Sequence, residues 1–349
     1  MIIKNSPEKL YGKGNANCLD LSEYFSIARN MKSNWEDTAI HSFSGAFPVS
    51  LTPDAKVFYQ GKRQDVSELA FTQLCSTVGL PAAYIRKCFE TGREDLALQN
   101  YFSWAGDRGK RNDKGCVVRA YNDVVEGIVT PDYNVFDNDE IIESIAETLD
   151  RPDFKGRYSL NQAYMSPARL HMRFVDFNGP VYTENGGDKL FKGFTVSSSS
   201  VGAGSFNIKF FLYRFACMNG LVIIKSGGII YRQSHLQAFE ETKRQAIAAS
   251  LMKIDDITGN AIDMLADADN KHLSVDEMEA ILTKARKELH MGRETSGEMM
   301  ALREMLNTAY PQKTLLSIAN AVTENAQRYD SLDKRLEHET WAGNLLMAA

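Results

Sequence analysis

The chain has 349 residues, 44% hydrophobic and 24% charged, with a formal net charge of −5. This composition excludes disordered, collagen-like and disulfide-stapled classes, and the length suits one large domain or two. No apolar run approaches the roughly 18 residues of a membrane span.

In chain order, LDLSEYFSIARNM (19–31) carries the apolar spacing of a helix. AKVFYQGKRQ (55–64) alternates like a strand running into a turn. Two or three short helices follow: Ser67 stands at the cap of the first, Gly79 ends it and Pro81 opens the next. GCVVRAY (115–121) and VVEGIVT (124–130) are strand-like runs around Asn122-Asp123, a hairpin signal. DNDEIIESIAETLD (137–150) is an amphipathic helix, and 156–165 and 168–177 form a strand pair around Ser166-Pro167. Strand patterns continue at 192–198, 205–216, 220–224 and 228–232. From His235 the period becomes helical: one long pattern over 235–268, then SVDEMEAILTKARKELH (274–290) with Ser274 and Glu277 at capping-box spacing, then two or three more helices. The expected class is α+β, a central and largely antiparallel sheet with flanking helices and an all-helical C-terminal part. The expected division is an N-terminal segment (1–64), an α+β core (65–234) and a helical region (235–349).

The start, MIIKNSPEKLYGKGN, lacks the apolar stretch of a secretory signal, so a cytoplasmic location is expected. Cys18, Cys75, Cys88, Cys116 and Cys217 are odd in number, widely spaced and without Cys-x-x-Cys, which reads as reduced thiols. Neither they nor the six histidines show metal-ligand spacing, so no metal and no cofactor is expected. Gly202-Ala203-Gly204 fails as a nucleotide loop, because Asn207 stands where a third glycine belongs and a strand follows. Its plain reading is a bend between strands. DADNKHLSVDEM (267–278) fails as a calcium loop, lacking the turn glycine and the final glutamate.

The charge is unevenly placed. Residues 190–239 contain no acid and five basic residues, Lys192, Lys209, Arg214, Lys225 and Arg232, whereas 240–349 hold 19 acids against 13 basic residues. Such asymmetry marks a polyanion-facing surface, or a buried sheet with no room for acids. Two more basic stretches precede it. WAGDRGKRNDKGCVVRAY (104–121) places Arg108, Lys110, Arg111, Lys114 and Arg119 on a Gly-rich loop leading into a strand. RPDFKGRYSLNQAYMSPARLHMRF (151–174) adds Arg157, Arg169 and Arg173, with His171 alternating between the last two, and the aromatics Tyr158 and Tyr164. Cations neutralise phosphates and aromatic faces stack unpaired bases, so this mixture favours single-stranded nucleic acid.

GFTVSSSSVGAGSFNIKFFLYRFACMNGLVI (193–223) resembles the signature of the phage- and plasmid-related family called domain of unknown function 932. Ser199 and Gly202 stand in its Ser-x-x-Gly turn, and Arg214, Cys217, Asn219 and Gly220 in its Arg-x-x-Cys-x-Asn-Gly strand end. RAYNDVVEGIVTPDYNVFDNDEII is similar to its arginine-led hairpin, Arg232-Gln233-Ser234-His235 to its basic residue and histidine before the long helix, and IANAVTENAQ to its Asn-Ala-x-Thr-Glu helix. The resemblance spans about 65–345. It departs at Ser198-Ser199-Ser200, where the family commonly has an Asn-Ser-acid triplet.

The resemblance implies a mobile-element protein of the bacterial cytoplasm engaged in DNA recombination, replication or host defence. With the basic middle, it leads to the expectation of an oligomeric single-stranded DNA-binding, strand-annealing protein without catalytic turnover. Arg108, Lys110, Arg111, Lys114 and Arg119 would contact phosphates from a flexible hairpin. Arg157, Arg169, Arg173, Lys192, Lys209 and Arg214 would line a groove, with Tyr158 and Tyr164 stacking bases. Two alternatives stand beside it. One is a protein-interaction module that inhibits or decoys a host defence factor. The other is a Mg²⁺-dependent nuclease using Asp132, Asp137, Asp139 and Glu140, although those acids also suit a helix start.

Overall fold

The structure, a computed structural model, describes residues 10–13, 20–41, 49–111, 115–185, 187–214, 219–222, 229–235, 241–293 and 296–347. Strand β1 (Leu10–Lys13) precedes helix α1 (Leu21–Lys32), whose capping box has the Asp20 side chain accepting from the Ser22 amide at 2.7 Å and Glu23 accepting from the Asp20 amide at 2.8 Å. Strands β2 (Trp35–Ile40), β3 (Ser50–Leu51), β4 (Val57–Tyr59) and β5 (Lys62–Val66) follow. The run 55–64, expected as one strand and a turn, is instead most of a hairpin closed by Gln60 and Gly61, both at positive φ. Helices α2 (Glu68–Val78), α3 (Ala82–Glu90) and α4 (Glu94–Arg111) come next, with Ser67 capping α2 and Gly79 ending it at φ +87°.

Helix α4 corrects one expectation: 104–111 is helix, not loop. Ala97, Tyr101 and Ala105 are buried at helical spacing in the first core. That burial outweighs the roughly 1 kcal/mol that each of Gly106 and Gly109 costs a helix. Strands β6 (Cys116–Tyr121) and β7 (Val124–Val129) form the expected hairpin, with Asn122 and Asp123 both at positive φ. Helix α5 (Asn138–Leu149) leads to β8 (Ser159–Met165), β9 (Arg169–Val175), β10 (Tyr182–Thr183), β11 (Lys189–Ser199), β12 (Phe206–Arg214), β13 (Asn219–Val222) and β14 (Ile229–Gln233). The C-terminal array is α6 (Glu241–Met252), α7 (Ile254–Asn270), α8 (Val275–Glu288), α9 (Gly297–Thr308), α10 (Leu315–Ala326) and α11 (Leu332–Met347). The long pattern from His235 is thus broken at Lys253, and His235 stands ahead of the helices.

The strands make two sheets. The first has the order β2-β6-β7-β5-β4-β3 and is antiparallel except where β5 meets β7. The second has the order β1-β8-β9-β11-β12-β13, with β10 added on β11 and β14 on β12. Strands β2 to β5, within residues 35–66, thus share a sheet with β6 and β7. The first sheet packs on α2, α3 and α4 through Val57, Tyr59, Phe71, Leu74, Tyr101 and Val118. The second buries Phe194, Phe210 and Leu212 with α1, α5 and the C-terminal helices. Strand β12 is central, as its two apolar faces imply: Phe206, Ile208, Phe210 and Leu212 enter the large core, while Phe211 and Tyr213 join Val175 and Phe191 behind it. Gly193 makes room there, since a Cβ on it would lie 2.6 Å from the Phe211 ring and 2.3 Å from the Phe174 carbonyl oxygen. Cys75, Cys88 and Cys116 are buried free thiols, and Cys18 and Cys217 lie outside the described residues.

Candidate functional site: a basic strand face beside a two-sheet clasp

The Ser-rich turn after β11 joins the two sheets. The Ser199 and Ser200 hydroxyls donate to the Ala168 and Pro167 carbonyls at 3.0 and 2.7 Å, which closes the turn on its own sheet. Its outer side is held by the first sheet and its neighbours. Gln73 donates to the Val201 carbonyl at 2.6 Å and accepts from the Ile128 amide at 2.9 Å. Tyr133 donates to the Ser199 carbonyl at 2.8 Å and accepts from the Gly202 amide at 2.9 Å. Val201 is fully buried against Gly127, where a Cβ would stand 2.7 Å from the Val201 Cβ.

Arg119 completes this clasp. It is 2% exposed, donates to the Ser200 carbonyl and to Asp37 Oδ1 (2.8 Å), and lies 4.6 Å from the Trp35 ring. Expected to contact phosphate from a flexible hairpin, Arg119 is instead spent inside the protein on the joint between the sheets.

Arg214 anchors a second buried network, between β12 and the C-terminal helices. Its guanidinium pairs with Asp188, lies 3.4 Å from Glu184 and 3.8 Å from Glu324, and donates to the Tyr310 hydroxyl. Asn320 donates to both oxygens of Glu184 at 3.0 and 3.1 Å. The strand-end arginine and the Asn-Ala-x-Thr-Glu helix thus meet in space. Burial pushes the Glu184 carboxyl up to about 7, against the pull of Arg214 and Asn320. Its folded value lies above the unfolded one, so the protonated form favours folding, and this contribution is lost as pH rises from about 4.5 to about 7. Glu184→Gln should therefore match the native chain near pH 4.5 and unfold at a higher temperature above pH 7. Thermal unfolding across that range checks it; identical pH profiles would exclude a titrating Glu184.

The face of the second sheet opposite the large core gathers the remaining polar groups, part of them buried. Register places Arg173 of β9 beside Thr195 of β11, which is beside Lys209 of β12; the next row is His171, Ser197 and Asn207, with Arg232 of β14 beside Asn207. Tyr164 pairs with His171 from β8. His171 is buried, with Nδ1 2.7 Å from the Ser197 hydroxyl and Nε2 without a hydrogen-bond partner. Burial, then Arg173 and Lys209, hold its imidazole well below the usual histidine range and hence neutral. Lys209 is half-buried, and burial together with nearby Arg232 draws its ammonium down. Neither Lys209 nor Arg232 meets a carboxylate among the described residues; Arg232 donates only to the Ser205 hydroxyl, at 3.1 Å.

The other expected contacts are mostly neutralised from within. Arg157 pairs with Asp176 and Asp255, and Lys192 with Asp255 at 2.6 Å. Arg169 donates to both oxygens of Asp333 at 2.7 and 2.6 Å, and Arg173 is buried against Glu339. Tyr158 is packed edge-on against Phe194 in the large core and presents no stacking face, whereas Tyr164 is half-buried on the polar face. The backbones of Arg108, Lys110 and Arg111 form the end of α4, their side chains lying outside the description, and Lys114 and Lys225 lie outside the described residues. Asp137, Asp139 and Glu140 do gather, but Lys32 Nζ stands among them at 3.1, 3.6 and 2.7 Å and fills the place a cation would take. Sequence reasoning missed Glu184 and Tyr310, and it missed the acids of α11; Asn320 and Glu324 were signalled only by their motif.

The fold and site define a two-sheet α+β protein whose signature turn clasps the sheets and whose polar strand face holds Lys209 and Arg232 without a described carboxylate. The chain belongs to the family described as Domain of unknown function (DUF932), which matches residues 125–342, from β7 into α11. The match covers the second sheet from β8 on and the helical array, and it begins after β2 to β6 and α2 to α4. No curated protein and no solved structure matches the chain. No described helix is long and apolar enough to cross a membrane.

Proposed function

We propose that this protein binds single-stranded nucleic acid, DNA in the mobile-element setting its family resemblance implies, at the Lys209–Arg232 end of the polar face of the second sheet. One observation carries the reading. Lys209 and Arg232 stand on neighbouring strands, close enough for each charge to act on the other, and no described carboxylate answers them. Holding two like charges together without a counterion costs free energy that a bound phosphate recovers. Half-buried Ser197 and Asn207 border the pair with hydrogen-bonding groups, and Tyr164 lies further along the same row. Strand annealing by a homo-oligomer in the bacterial cytoplasm extends the same reading.

The test is fluorescence anisotropy of a labelled oligonucleotide over a salt series. Combined Lys209→Ala and Arg232→Ala should flatten the slope of log K against log salt by about 1.4, at roughly 0.7 for each phosphate contact on a single strand. An unchanged slope, with a normal unfolding temperature, removes this site from the reading.

A second reading, docking to a protein, is favoured by the helical layer on the first sheet. Tyr84, Phe102 and Trp104 of α3 and α4 are 40%, 51% and 48% exposed. Large exposed aromatics are enriched at protein interfaces. Phe102→Ser with Trp104→Ser would disrupt this face and leave the oligonucleotide slope unchanged.

A further inference from the structure

We propose that helix α11 is an internal competitor for the polar strand face, its carboxylates holding arginines that nucleic acid would otherwise engage. The inference rests on the nucleic-acid reading above. Strand β9 presents Arg169, His171 and Arg173 on that face, and Arg173 shares a row with Lys209. Asp333 takes Arg169 and Glu339 takes Arg173. Six helical residues span about 9 Å and four strand residues about 13 Å, a difference that two arginine side chains easily absorb. The spacing of these acids on α11 therefore matches that of the arginines on β9. Arg169 and Arg173, which face the acids of α11, are neutralised, whereas Lys209 and Arg232 meet no described carboxylate.

The two ends of this strap are held differently. At the C-terminal end, Glu339, Ala342 and Leu346 are buried, and Trp341 donates to Glu288 of α8 at 2.8 Å. At the N-terminal end, the Asp333 and Arg169 side chains are 67% and 39% exposed. Exposed pairs contribute little, so a phosphate can replace Asp333 at Arg169 while the buried end stays docked. Releasing Arg169 thus adds one cation to Lys209 and Arg232 and converts a weaker binding face into a stronger one.

Asp333→Asn should tighten oligonucleotide binding roughly fivefold at low salt and steepen the salt slope by about 0.7, one added phosphate contact. Arg169→Ala should leave native binding unchanged and cancel the gain in the Asp333→Asn background. Glu337→Gln, the same charge change at an exposed carboxylate of α11, controls for net charge and should give a clearly smaller gain. The strap is overturned if Asp333→Asn has no effect, if Glu337→Gln does as much, or if Arg169→Ala weakens native binding as Lys209→Ala does. Each of these results leaves Lys209-dependent binding intact and so spares the nucleic-acid reading. Absence of salt-dependent binding in both the native chain and Asp333→Asn removes both.

Discussion

Replacing Arg173 with leucine should destabilise the protein by about 3–5 kcal/mol. Arg173 and Glu339 side chains are only 4% and 1% exposed, and two guanidinium nitrogens meet the two carboxylate oxygens. The Arg173 guanidinium also lies 5.3 Å from the Phe211 ring, so its plane is part of the packing under α11. Removing the arginine leaves Glu339 buried without its counter-charge, and that stranded charge, more than the lost attraction, sets the magnitude. Urea unfolding should show a lower midpoint with an unchanged slope. Arg173→Met combined with Glu339→Leu should recover most of the loss, because the pair's net contribution is small once both charges are gone. A single substitution costing under about 1 kcal/mol would mean that water reaches Glu339 and that α11 is not firmly docked there.

Arg119→Met should cost about 3 kcal/mol and loosen the joint between the two sheets. The substitution keeps the stem's bulk but removes the donors to Ser200 and Asp37 and the cation over Trp35. The Ser200 carbonyl then loses its charged donor at the centre of the clasp. Gln73, Tyr133 and buried Val201 still hold the turn, so the sheets remain in contact but open more readily. Hydrogen exchange should quicken at Val201, Gly202 and Ile128, whose amides lie in or bond to the clasp, and remain slow in β9 and β12. Uniform acceleration across both sheets would indicate global destabilisation and count against a local role for Arg119 at the clasp.

The match of the family to 125–342 gives these two predictions different weight. Arg173 and Glu339 both lie inside it, as do Arg214, Glu184, Asn320 and Glu324. Arg119 lies just before it, while its acceptor Ser200 lies within. The clasp therefore joins the matched region to the sheet and helices that precede it.

What the sequence by itself determined were features whose cause lies within a few residues. Ser67, Gly79, the Ser274–Glu277 box and the Asn122-Asp123 turn bound their elements as expected, because caps and tight turns bond to backbone groups two to four positions away. The alternation of Phe206 to Tyr213, apolar on both faces, was enough to make β12 a central strand. Tertiary structure decided which charges are free. The acid-free run 190–239 looks uniformly basic, but its counter-charges arrive from elsewhere: Asp255 to Lys192, and Glu184, Asp188 and Glu324 to Arg214. Arg169 and Arg173 are answered by Asp333 and Glu339, 164 and 166 positions away. Local sequence can count cations. Only folding brings a carboxylate within about 4 Å of one, where a buried pair neutralises both charges. That selection leaves Lys209 and Arg232 without a described carboxylate on a strand face where both arginines of β9 have theirs.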